Sequence, residues 1–154
     1  MAPTIQIIGV SGLPEVRPND NLGALIIDAA GHQNTAIING DILIVTQKII
    51  SKVEGRLVAL SQVDPSPLAI EISSLHQRDP RHTEVVLRET RRIVRMDRGI
   101  IIAETRHGFT CANAGVDSSN VAGSEMVSLL PENPDYSAQL IKRHVQEVLG
   151  VTIG

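Results

Sequence analysis

The chain has 154 residues, 42% hydrophobic and 20% charged, with a net charge of −3 at pH 7; this fits one ordinary globular domain and excludes a disordered or fibrous chain. The acidic balance argues against a sequence-independent nucleic-acid binder, which needs a basic surface, and one Phe, one Tyr and no Trp are too few rings for a base-stacking platform. No apolar run approaches a membrane span, the first residues lack the pattern of a secretory signal, and the lone cysteine, Cys111, precludes an internal disulfide; together these point to the cytoplasm.

Thr4 to Val10 is β-branched and apolar and predicts a first strand, broken by Gly12-Leu13-Pro14. Asn21 to Ala30 predicts a helix, with Asn19, Asp20 or Asn21 as its cap and Gly31 as its end. After the turn signal Asn39-Gly40-Asp41 comes the unbroken apolar run Ile42-Leu43-Ile44-Val45, the pattern of a strand buried on both faces. Asp64-Pro65-Ser66-Pro67 predicts a helix start, with the helix reaching about Leu75; Asp79-Pro80 predicts another. In that second helix Glu84 and Arg88 stand four apart, as an exposed ion pair would.

Ile93–Met96 and Ile100–Glu104 predict two strands joined tightly at Asp97-Arg98-Gly99, hence antiparallel. His107-Gly108 turns the chain into another strand, Phe109–Ala112, and Met126–Leu130 predicts one more, stopped by Pro131. A last helix spans about Asp135 to Leu149, with Ala138, Ile141, Val145 and Val148 on one face and Gly150 ending it. Val151-Thr152-Ile153 resembles the opening of a further strand. These elements add up to an α+β fold, with three or four helices packed on a mixed, largely antiparallel sheet.

Neither phosphate-loop pattern is present, nor C-x-x-C or H-E-x-x-H, and the five histidines lack metal-ligand spacing. Two segments carry candidate chemistry. The first follows the Ile42–Val45 run with Thr46, Gln47, Lys48, Ser51, Lys52 and Glu54. Ligands of open α/β sheets favour the region beyond strand carboxyl ends, and a lysine there can contact phosphate as a point charge. A solvated loop with ordinary surface lysines explains the same residues, and residue types alone favour it. The second segment runs from Cys111 to Val121, mixing small residues with Asp117, Ser118, Ser119 and Asn120. An aspartate among oxygen donors suits Mg²⁺ or Mn²⁺; equally, Asp117 and Asn120 could cap the next segment. Cys111 itself reads as a small buried hydrophobe.

Gly12-Leu13-Pro14, Ile50-Ser51-Lys52-Val53-Glu54-Gly55-Arg56 and Ala112-Asn113-Ala114-Gly115-Val116-Asp117-Ser118-Ser119-Asn120-Val121 occur in the order and approximate spacing of one family. The chain resembles the GTP-dependent coenzyme F420-0:γ-glutamyl ligases, where coenzyme F420 is a deazaflavin. The resemblance covers essentially the whole chain. It implies transfer of the GTP γ-phosphoryl group to a carboxylate of the deazaflavin side chain, then attack of the L-glutamate amine on the acyl phosphate. Positioning and charge neutralisation dominate such chemistry, so no protein nucleophile is implied. Carried over by matching position, Leu13, Pro14, Glu15 and Val16 fall where the family's first loop lines the GTP site. Gln47 and Lys48 fall at a second nucleotide-contacting pair, Lys52 and Asn120 at further nucleotide contacts, and Asp117 at a divalent-metal ligand. Mg²⁺ or Mn²⁺ is the implied cofactor, with K⁺ as a further candidate, and the partners are GTP, L-glutamate, coenzyme F420-0 and a second copy of the chain. The alternative is a non-catalytic nucleotide-binding or dimerising α+β module derived from that family.

Members of the family continue with a strand that carries an Asp-Thr metal-binding pair and then a further nucleotide-binding segment. This chain ends at Gly154, so the resemblance makes it a single domain corresponding to the N-terminal part of the ligase. One aspartate is a poor Mg²⁺ site by itself, because the ion needs further anionic ligands. The 154-residue protein alone is therefore expected to bind GTP weakly and turn over little or nothing. A steady-state assay of the purified chain checks this, and sustained multiple turnover would contradict it.

Overall fold

The computed structural model of the chain describes residues 4–117 and 125–154. They form an α+β fold with five α-helices and two small antiparallel sheets, one helix more than the sequence predicts. The chain divides into two compact units, one built from residues 1–55 and 132–154, the other from residues 56–131. Among the described residues no helix is long and apolar enough to cross a membrane.

The first unit holds α1 (Leu22–His32), α2 (Gln47–Val53) and α5 (Pro134–Leu149). Asn21 caps α1, its side-chain oxygen accepting from the Ala24 N–H at 3.1 Å. Asn133 does the same for α5 through the Tyr136 N–H, with Pro134 in the first turn. Gly150, in the left-handed conformation, ends α5 as expected. Val16, Leu22, Ile26 and Ile141 form the unit's core, with Leu13, Leu43, Val45, Ile49, Ile50 and Val53 packed around it. On α5 the inward stripe is Ser137, Ile141, His144 and Val145, whereas Ala138 and Val148, predicted to share a face with Ile141 and Val145, are exposed. Gly23 of α1 makes this rotation possible: a Cβ there would stand 2.9 Å from the His144 ring.

Two predicted strands of this unit are corrected. Thr4–Val10 has no regular secondary structure and joins no ladder, and Ile7 is 92% exposed. Ile42–Val45 alternates, with Leu43 and Val45 turned toward the core while Ile44 is 87% exposed. Its hydrogen bonds go to the chain's last residues: Leu43 N–H donates to the Gly154 carbonyl at 3.0 Å, and Gly154 N–H to that of Asp41 at 2.8 Å. The run is thus buried on one face, because core packing covers only its inward row.

The second unit contains β1 (Leu57–Ala59), α3 (Pro67–Ser74), α4 (Pro80–Glu89), β2 (Thr90–Asp97), β3 (Ile100–Thr105), β4 (Thr110–Ala112) and β5 (Met126–Ser128). β1 pairs with β5, and β2, β3 and β4 form a three-stranded sheet in that order. β3 alternates as a half-buried strand should, with Ile101, Ala103 and Thr105 inside. Its neighbour β2 is a sheet edge, exposed along nearly its whole length and studded with Arg91, Arg92 and Arg95. Charge on an edge opposes pairing with another chain. Val85, Val86, Ile101, Val127 and Leu129 lie in the core.

Glu84 differs from its predicted role as an exposed partner of Arg88. Its residue is buried, and its carboxylate accepts both from the Ser66 backbone N–H at 2.9 Å and from Arg88 Nε at 2.9 Å. Ser66 in turn caps α3 through the Ala69 N–H, so one carboxylate ties the start of α3 to α4. The Ser66 hydroxyl and N–H, helped by Arg88, pull the Glu84 carboxyl down to about 2.

Because that value lies below the ordinary 4.5, the stability Glu84 lends is complete above pH 4.5 and is lost as pH falls toward 2. Replacing it by Gln is expected to lower stability at pH 7 by about 1–3 kcal/mol. Urea denaturation of both proteins should show the gap narrowing steadily below pH 4.5. Val127, fully buried in β5 opposite Val58, should cost ~2 kcal/mol on truncation to Ala, read as a lower urea midpoint at unchanged m-value.

Candidate functional site

α2 determines where Lys48 and Lys52 point. Ile49, Ile50 and Val53 pack on the core, and helical geometry then places Lys48 and Lys52, four residues apart, on one common face. Gln47 and Ser51 form a second such pair. Gln47 Nε2 donates to Ser51 Oγ at 2.6 Å, and Ser51 Oγ donates to the Gln47 carbonyl at 3.1 Å. Ser51 has no exposed surface, so this internal bonding satisfies a hydroxyl that burial would otherwise penalise.

The predicted first loop lies against this helix. Leu13 and Val16 turn into the core of the first unit, whereas Pro14 and Glu15 face water. The Glu15 carboxylate reaches Lys52 Nζ at 2.5 Å. Leu13 to Val16 and Lys52 are therefore brought together, and Gln47 and Lys48 sit on the same short helix. The helix ends at Glu54, whose carboxylate accepts from the Glu132 N–H at 2.7 Å and from Ser137 Oγ at 2.6 Å. That grip fixes the end of α2 to the start of α5. Ser51 and Glu54 are quoted in the sequence motif without a role; the i, i+4 spacing of Gln47 and Ser51 was the one signal available for the first of them.

A cleft of about 570 Å³ opens between α1, α2 and α5, bordered by Asp20, Ile50, Glu54, Ser137, Arg143 and His144. Among the described residues, none of those predicted for the nucleotide site lines it.

Asp117 belongs to the second unit. Asn113, Ala114 and Gly115 precede it with φ of 50°, 50° and 75°, a left-handed run that only Gly adopts without strain. A Cβ on Gly115 would also stand 2.7 Å from the Leu130 side chain. Asp117 itself is half-buried and exchanges two backbone hydrogen bonds with Ser128, at 3.0 and 2.8 Å. Its position is thus pinned to the end of β5. Asn120 lies outside the described residues. Cys111 is half-buried and its thiol is pushed up by burial, which is the behaviour of a packing residue and not of an activated nucleophile.

Asp117 offers the hard oxygen that a Mg²⁺ or Mn²⁺ ion prefers. Among the described residues, however, no group of three or more His, Cys, Asp and Glu side chains could hold a metal, so these residues do not form a complete divalent site.

The family model for F420-0:Gamma-glutamyl ligase matches residues 12–154. A coenzyme F420:L-glutamate ligase of Methanothermobacter thermautotrophicus is 41% identical over 146 residues, covering 95% of this chain and 58% of the relative. One of Methanopyrus kandleri is 42% identical over 152 residues, covering 99% and 58%. One of Methanocaldococcus jannaschii is 39% identical over 118 residues, covering 77% and 47%. The chain thus spans a little over half the length of the first two relatives. Since the match runs through the first loop, α2 and the Asp117 segment, the chain belongs to the F420-0:gamma-glutamyl ligase family.

Proposed function

We propose that this chain carries part of the active site of a GTP-dependent coenzyme F420-0:γ-L-glutamyl ligase, acting in coenzyme F420 biosynthesis. The observation that carries the reading is the match to the ligase family across residues 12–154, supported by the names of the relatives. The grouping of the first loop with Lys52 adds a physical argument, because a cation held on a short packed helix suits phosphate recognition.

In this reading Lys52 and Lys48 attract the polyphosphate of GTP, while the backbone of Leu13 to Val16, anchored by two core side chains, borders the nucleotide. Glu54 acts by holding α2 in place. Asn120 contributes a further nucleotide contact and Asp117 one carboxylate toward Mg²⁺ or Mn²⁺; a bound divalent ion would neutralise phosphate charge. The γ-phosphoryl group passes to the carboxylate of coenzyme F420-0, GDP leaves, and the glutamate amine displaces phosphate from the acyl phosphate to form the amide. The protein contributes orientation and charge, with no covalent adduct on a side chain. A second copy of the chain is the proposed partner.

Titration calorimetry with GTP in the presence of Mn²⁺ tests the nucleotide part. Weak but measurable binding is expected, and Lys52→Ala should reduce the affinity about tenfold or more, the usual cost of a lost charge-assisted contact. Asp117→Ala should reduce the dependence of binding on Mn²⁺. Binding that ignores both substitutions would count against the reading and favour a module without the ligase site.

A further inference from the structure

Glu15 and Lys52 form an unequal pair. The lysine side chain is 16% exposed and the glutamate 72%, so the lysine is held along its length by packing while the glutamate stands mostly in water. The Glu15 carboxylate, 2.5 Å from Lys52 Nζ, faces that ammonium directly. Glu15 sits between Leu13 and Val16, both turned into the core, on a stretch with no regular secondary structure. The backbone is therefore anchored while the glutamate side chain is not, and rotating it away disturbs no core packing. The Lys52 ammonium carries three N–H donors, so an anionic oxygen that approaches it either takes the place Glu15 holds or stands beside that carboxylate, a like charge.

We propose that Glu15 is a displaceable counter-ion that holds the phosphate-contacting place on Lys52 and sets the affinity of the site for polyphosphate by competing with it. The proposal rests on the reading of Lys52 as a nucleotide contact. It assigns Glu15 a role opposed to that of a direct ligand contact: the carboxylate weakens binding, and its removal strengthens it. Partly exposed ion pairs are modest, so the expected gain is roughly two- to fivefold.

The test is a double-mutant cycle on the 154-residue chain, with GTP and Mn²⁺ as the probe and calorimetry as the readout. Wild type, Glu15→Gln, Lys52→Gln and the double variant are compared, and circular dichroism melting verifies that each is folded. The expected result is roughly two- to fivefold tighter binding for Glu15→Gln, with the gain abolished in the Lys52→Gln background. The second condition separates local competition from a general loss of negative charge, which would help GTP in either background. An affinity that depends on Lys52 but is unchanged or weakened by Glu15→Gln overturns this proposal alone, and would make Glu15 a residue that positions the lysine. An affinity indifferent to Lys52→Gln overturns the nucleotide reading itself.

Discussion

Burial of Ile49, Ile50 and Val53 fixes the rotation of α2, and the candidate nucleotide site in the first unit depends on that rotation. A helix of seven residues has too few hydrogen bonds to be stable by itself; packing and end contacts must hold it. Ser51, without exposed surface, closes the inner side. Glu54 binds the end of the helix to the Glu132 N–H and to Ser137. The Asn19 N–H, donating to the Val53 carbonyl at 2.8 Å, satisfies one of the acceptors left open at the last turn. With these in place Lys52 points to the loop that carries Glu15.

The second unit solves a different problem by different means. Asp117 is positioned through its backbone, by the paired hydrogen bonds to Ser128, and the left-handed residues before it turn the chain sharply out of β4. Ser128 is fully buried and β5 is paired to β1, so the anchor is a core strand. Charge enters only at the side chain. The scaffold beneath it is apolar packing around Val127 and Leu129.

Much of this was legible in the sequence where local chemistry decides conformation. Asn21, Ser66-Pro67 and Asp79-Pro80 mark helix starts, and Asp97-Arg98-Gly99 marks the hairpin, because caps and turns act over three or four residues; the Asn133-Pro134 start of α5 was placed two residues late, at about Asp135. Legibility failed where tertiary context decides. Ile42–Val45 reads the same whether one face or both will be covered. Thr4–Val10 has strand composition, but composition does not supply a pairing partner. α2 was hidden because its seven residues follow directly on an apolar run, blurring the change of period. Of the site, motif resemblance supplied the residues, whereas the contact between Glu15 and Lys52 joins positions 37 apart and leaves no periodic trace. Glu84 shows the same limit: its spacing to Arg88 was visible, but its bond to Ser66 was not.

Gly115 has a consequence for which genetic changes the chain can accept. Its φ of 75° and its closeness to Leu130 require a residue with no Cβ, and every other amino acid has one. No single-nucleotide missense change in that codon therefore yields a residue that fits both constraints. Left-handed backbone alone costs a side-chain-bearing residue roughly 1–2 kcal/mol, before Leu130 is made to move. The Leu130 side chain has some freedom to yield; the backbone angle, set by the turn that leads to Asp117, has less. Position 115 is thus constrained by the shape of the path to the carboxylate, with no need for the glycine itself to touch any reactant.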